Sequence, residues 1–341
     1  MFFQVDLQLN DTLVGTSGDN YPYKSYITTL LSYSEDSKET FLKDLEGYGT
    51  DTPYLFDSTS NERAVEAAKY MVRNGQEFEL FGRLHLDLMF QPRVIPNLTD
   101  IKIKLQRARD EFCLMSHVTG QEYKLKLLDA KFICRRVKLE PSYQISLENS
   151  IKTRGCKFPI QNIVVKTFNV PQGASSHTLN SLFTNGEVPT RALVGMTSNS
   201  AYYGNYAKNP FRFQTFSLSF ASLSFGGKTY PPNGYSLNFK ENTYIECFHK
   251  LYEVFGRYPE DFSFGLDKEA WENGSFLVPF DLSVDECYKG GFVSPKKYGS
   301  LNLTLNWKDA LPSIITVFVF GFFDNTVHMD VNRGYSLEAV H

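Results

Sequence analysis

Hydrophobic and polar positions alternate with a period of two over much of this chain, most clearly between Phe78 and Met115. Leu84, Leu86, Leu88 and Phe90 alternate with Arg83, His85, Asp87 and Met89, and Ile101, Ile103 and Leu105 alternate with Lys102, Lys104 and Gln106. Successive side chains of a strand point to opposite faces, so each segment predicts a strand with an apolar face toward a core and a polar face outward. Gln91–Asp100 between them holds Pro92, Pro96 and Asn97 and predicts a loop. The same signal recurs on either side. Phe3, Val5, Leu7 and Leu9 predict a strand, Asn10-Asp11 a tight turn, and Thr12–Gly15 the returning strand. Glu122–Leu128 and Ala130–Leu139 are further strand candidates, and Pro141 ends the second.

Helical spacing is rarer. It runs through Tyr26, Leu30 and Tyr33 within Tyr23–Tyr33, and Glu62–Arg73 predicts a short helix in a polar insertion. Gln144–Arg154 is polar and predicts a short helix, which serves as a linker. This divides the chain into a first unit over 1–143, a linker over 144–156 and a second unit over 157–341. In the second unit Ile160–Val170, Arg191–Thr197, Phe213–Phe225 up to the Gly226-Gly227 turn, Phe276–Leu282, Leu301–Trp307 and Ile314–Phe323 predict strands. Tyr244–Phe255 predicts a helix with aromatic residues along one side. Ile314–Phe323 is continuously apolar, as a strand buried on both faces would be.

The two halves echo each other. The hairpins that start at Phe3 and at Phe220 lie 217 residues apart, and each leads through a proline-containing loop into a Tyr-bearing amphipathic helix, a polar insertion and further strands. Tandem copies of one antiparallel unit with helix-bearing crossovers predict an all-β chain: a double jelly roll, two antiparallel β-sandwiches in series.

Composition strengthens this picture. With 29 Phe and 20 Tyr against 2 Trp, the chain is rich in residues that favour strands and supply large buried areas. Its 35 basic and 38 acidic residues give a net charge of −3 and no basic stripe, so direct, sequence-specific nucleic-acid binding is not expected. Five cysteines without CxxC spacing predict reduced thiols rather than a disulfide framework or zinc knuckle. MFFQVDLQLN has neither the basic nor the apolar region of a signal peptide, and the ten-residue apolar run Ile314–Phe323 is too short to span a bilayer. A soluble, intracellular protein is expected.

Candidate chemistry is thin. His85-x-Asp87 is the pattern by which jelly-roll non-haem iron oxygenases supply two of three facial ligands, and His328 with Arg333 could complete such a site. Alternation alone also places His85 and Asp87 on one polar strand face, where a solvated or hydrogen-bonded role suffices, so substituting both by alanine is expected to leave assembly unchanged. Cys113 and Cys134 lack a paired base, and His117 falls in a loop. Gly226-Gly227-Lys228 is a hairpin turn rather than a phosphate cradle, because no helix start follows it. The Lys102/Lys104/Arg107/Arg109 run predicts a solvated or inter-subunit surface, and the Tyr/Asn-rich loop Asn199–Phe211 a subunit contact. No catalytic, cofactor or metal residue is assigned, and no cofactor is expected.

Five blocks in order, FFQVDLQLNDTLV, NYPYKSYITTLLSY, LFGRLHLDLMFQ with DIKIKL and FCLM, YAKNPFRFQTFSLSF, and FGFFDNTVHMDVNR, together resemble the major capsid proteins of Polinton/Maverick elements and adintovirus-like viruses. The resemblance covers nearly the whole chain. It implies a non-enzymatic, hexon-like double jelly-roll protein that forms pseudo-hexagonal homotrimers. Such trimers tile an icosahedral shell around double-stranded DNA, meet a minor capsid or penton protein, and place the chain in the virion after assembly inside the host cell. In the family two strands precede the first hairpin where this chain starts at Met1, so a chain shortened at its N-terminus is expected, either by degradation of an integrated copy, as in an endogenous viral element, or by a gene start placed too late. The alternative class is a cellular jelly-roll enzyme or glycan-binding protein with a His85/Asp87 metal site.

Overall fold

A computed structural model describes residues 1–16, 18–46, 75, 77–116, 120, 122–184, 186–258, 261–283 and 295–337. In chain order the strands are β1 (Phe2–Leu9), β2 (Thr12–Thr16), β3 (Ile101–Arg107), β4 (Cys156–Val170), β5 (Ser176–Leu179), β6 (Glu187–Val188) and β7 (Arg191–Ser198), then β8 (Leu218–Phe225), β9 (Lys228–Ser236), β10 (Leu277–Asp281), β11 (Lys297–Tyr298), β12 (Asn302–Trp307), β13 (Ile315–Met329) and β14 (Tyr335–Leu337). Three helices matter to the argument: α1 (Tyr21–Ser32), α2 (Pro141–Arg154) and α3 (Ile245–Val254).

The second unit is a complete jelly roll, and its strand order shows it. One sheet runs β4-β13-β7-β10 and the facing sheet β5-β12-β8-β9. Numbered along the chain without the short β6–β11 ladder, the first strand pairs with the eighth, the second with the seventh, the third with the sixth and the fourth with the fifth. All four pairs are antiparallel. That is one long hairpin rolled up on itself. The β8–β9 turn is Gly226-Gly227, both at positive φ, as a two-residue hairpin turn requires. The core between the sheets is dominated by Phe213, Phe276, Phe280, Phe318, Phe320 and Trp271, all essentially solvent-free. Residues 315–323 of β13 are buried on both faces, as continuous hydrophobicity predicts.

The first unit repeats part of that roll. Its sheet order, β2-β1-β3, matches β9-β8-β12, a hairpin with the seventh strand beside it, and α1 follows its hairpin as α3 follows the other. Asn10 and Asp11, at φ of 46° and 63°, make the turn. The expected all-β double jelly-roll architecture is thus present as one whole roll and one partial copy.

Three predicted strands are not strands. Residues 77–86 join no ladder, and Asp87–Phe90 forms one turn of 3-10 helix. Glu122–Leu128 and Ala130–Leu139 carry no regular structure. The second roll supplies the reason. There the strand at the first of these positions, β10, pairs with β7, and the last strand, β13, pairs with β4. No described strand of the first unit fills the places of β4 and β7, and a strand without a partner leaves its backbone groups to water. The predicted helix at Glu62–Arg73 lies outside the described residues. Pro141–Arg154 is helical, three residues longer at its start than the pattern suggested.

A two-stranded ribbon joins the units. β4 and β13 pair over fifteen residues each. Their inner parts belong to the second core, while Phe158, Ile160, Val327 and Met329 at the far end pack with Val5, Leu7, Leu9, Val14 and Leu86 of the first unit. Helix α1 bridges in the same way: Tyr21 faces the first core, and Tyr23, Ile27 and Leu30 the second.

Candidate functional site

The residues with the most chemistry lie under α1, on the seam between the two cores. Lys24, on the first turns of α1, is buried, and its Nζ lies 2.7 Å from Asp87 Oδ1 and 2.8 Å from Oδ2. Asp87 also accepts a hydrogen bond from the backbone N–H of Ile163 on β4. One ion pair therefore ties α1, the 3-10 turn and the ribbon together. Burial pushes the Asp87 carboxyl up from its ordinary value, and the Lys24 ammonium and the two hydrogen bonds pull it back.

His85 sits beside this pair and is only 3% exposed. Its backbone N–H donates to the Tyr21 hydroxyl at 3.1 Å, its Nε2 lies 3.5 Å from Thr29 Oγ1, and its ring lies 5.4 Å from that of Phe90. Nδ1 is buried without a hydrogen-bond partner among the described residues. Arg83 covers the other side of this group, its guanidinium 4.3 Å above the Phe90 ring. Burial, then the nearby Lys24 and Arg83 charges, hold the imidazole pKa down at about 4. It is neutral at pH 7.

This geometry corrects the solvated-face reading of His85 and Asp87. Both are interior, because the segment leaves the strand conformation at Asp87 and its polar side chains turn under α1. Asp87 is committed to Lys24 and Ile163, and a cation there would meet the Lys24 charge. Among the described residues no three His, Cys, Asp or Glu side chains gather as a metal site would need. His328 lies on β13 opposite Lys157 and Ser336, and Arg333 pairs with Glu148 of α2 at 2.6 Å.

The other candidates stay apart. Cys113 and Cys156 are half-buried, Cys134 is exposed and Cys247 is buried, while Cys287 and His117 lie outside the described residues. In the basic run Lys102 pairs with Asp11 and Arg107 with Asp110. The Tyr/Asn-rich loop makes contacts within the chain. Tyr202 stacks on Tyr23 and donates to Asn20 Oδ1, and the Tyr206 hydroxyl donates to the Tyr123 carbonyl at 3.1 Å. Tyr203 remains exposed. Nothing in the pattern marks Lys24 as a buried charge, since a lysine in an amphipathic helix ordinarily marks the wet face.

Among the described residues no helix is long and apolar enough to cross a membrane. No family model matches the chain. An uncharacterized protein of Caenorhabditis elegans is 24% identical over 345 residues, which cover 98% of this chain and 78% of that protein. Among solved structures, the PBCV-1 virus capsid aligns with all of this chain and 84% of its own at 10% identity and a TM-score of 0.45. A chain of the Sputnik virophage aligns with all of this chain and 75% of its own at 10% identity and a TM-score of 0.47. The mavirus major capsid protein aligns with 53% of this chain and 41% of its own at 11% identity and a TM-score of 0.29.

Proposed function

We propose that this chain is a capsid building block: a non-enzymatic major capsid protein of a Polinton/Maverick-type or adintovirus-like element. It self-associates into pseudo-hexagonal trimers that tile an icosahedral shell around double-stranded DNA and meet a minor capsid or penton protein. Its place of action is the virion, after assembly in the host cell. The observation that carries the reading is the repeated strand order, β2-β1-β3 echoing β9-β8-β12 with a helix after each hairpin. Two similar units side by side in one chain give a six-lobed outline when three chains meet on a three-fold axis. The buried polar seam fits the same role, since Lys24–Asp87 fixes how the two units sit rather than presenting chemistry to a substrate. Light scattering on the purified chain tests this: particles of three times the 39.0 kDa chain mass support it, and a stable monomer at high concentration contradicts it.

A further inference from the structure

From Glu122 to Glu140 the chain runs without a helix, turn, bend or ladder, and every residue from Lys126 to Glu140 is exposed. The exposed side chains include Leu127, Leu128, Phe132, Ile133 (67%), Val137 and Leu139, and Tyr143, Ile145 and Leu147 continue the apolar surface onto α2. So many large apolar groups exposed in one short stretch mark an interaction surface. The segment is nevertheless anchored. Tyr206 takes both the N–H and the carbonyl of Tyr123, at 3.4 and 3.1 Å, and the Leu125 N–H donates to Asp110 Oδ1 at 3.0 Å. At the other end α2 buries Ile151 and closes on Gly155.

These anchors have a direction. In an antiparallel ladder, alternate residues turn their N–H and C=O to opposite sides. Tyr123 and Leu125, both odd-numbered, spend theirs on the chain's own body, so an extended continuation turns the even-numbered backbone outward. We propose that Lys124–Glu140 pairs antiparallel with the same segment of a second copy, about a local two-fold axis at Phe132. This rests on the capsid reading and deepens it, since a two-fold contact joins one trimer to the next.

The sequence fits itself in this register. Lys124 faces Glu140, Asp129 faces Arg135, Leu125 faces Leu139 and Leu127 faces Val137, with Phe132 opposite Phe132; Lys126 against Lys138 is the one like-charge pair. Cross-strand pairs of opposite charge and of large apolar groups are those that stabilise a ladder. Sliding each copy by one residue sets Lys124 against Lys138 and Lys126 against Arg136, and so disfavours that register. The Ala130 N–H, held at 2.8 Å by the Asp129 carboxylate, exchanges that local bond for a ladder bond. The 17 residues of Lys124–Glu140, with Tyr143, Ile145 and Leu147 on α2, reach the lower end of the roughly 20–30 residues per side of a standard stable interface.

The test is a self-directed cross-link in the full chain. Phe132→Cys in a Cys134→Ser background, oxidised, is expected to give mostly covalent dimer, because Cα atoms directly opposite in a hydrogen-bonded pair lie about 5.5 Å apart, within disulfide reach. Lys131→Cys in the same background sits opposite Ile133 and is expected to cross-link several-fold less. Equal yields from both, or no dimer beyond the Cys134→Ser background, would overturn the pairing. Particle mass, measured on the same samples, separates the two proposals. Three-copy particles without the Phe132→Cys cross-link end the arm contact and leave the capsid reading standing, and the cross-link without three-copy particles does the reverse.

Discussion

At the scale of single residues, burial outweighs pattern. His85 is neutral inside the fold and titrates near 4 there, against 6.5 when exposed. Between these values the unfolded chain binds the extra proton, so stability falls as pH drops from about 6.5 to 4, by roughly 3 kcal/mol in all. Asp87, with its carboxyl raised, works the other way near pH 4 and offsets part of the loss. Urea midpoints across this range should shift downward for the native chain and much less for His85→Gln. Lys24→Met leaves Asp87 as an uncompensated buried charge and should cost roughly 3–5 kcal/mol, whereas Lys24→Met with Asp87→Asn should recover most of it. Chemical denaturation of the single and double variants checks this; equal losses in both would show that the pair matters only through its contacts. The double alanine substitution of His85 and Asp87, harmless on a solvated face, should here destabilise the first unit.

At the scale of elements, what decides a strand is its partner. Phe3–Leu9, the Asn10-Asp11 turn, Ile160–Val170 and Ile314–Phe323 were legible because alternation, turn chemistry or continuous hydrophobicity is local information, and each of these segments finds a neighbour. Leu84–Phe90 and Ala130–Leu139 alternate as well, but nothing among the described residues pairs with them, and period alone cannot report that. The spacing in α1 also misled in part. Tyr23, Ile27 and Leu30 form its buried stripe, while Tyr26 is only partly buried and helix α1 ends before Tyr33. Where strands do pack, tolerance is small. A Cβ on Gly321 of β13 would lie 2.5 Å from the Phe183 ring, so Gly321→Val should cost roughly 1–3 kcal/mol or more through overpacking. A melting temperature unchanged in that variant would mean Phe183 can move aside.

At the scale of the whole molecule, the tandem echo was legible in the sequence, but the joint between its two copies was not. Nothing in the pattern announces that β4 and β13 run on past the second core to carry Phe158, Ile160, Val327 and Met329 into the first. Under the proposed capsid role the continuity matters, because a building block that tiles a shell would have to present both lobes at a fixed angle. The ribbon, α1 and the Lys24–Asp87 pair together supply that rigidity. The activity proposed for this fold is self-association. Its most direct test is electron microscopy of the purified, self-associated chain. Particles with three-fold symmetry and a six-lobed, near-hexagonal outline are expected, and single chains or assemblies of another symmetry would contradict the capsid reading.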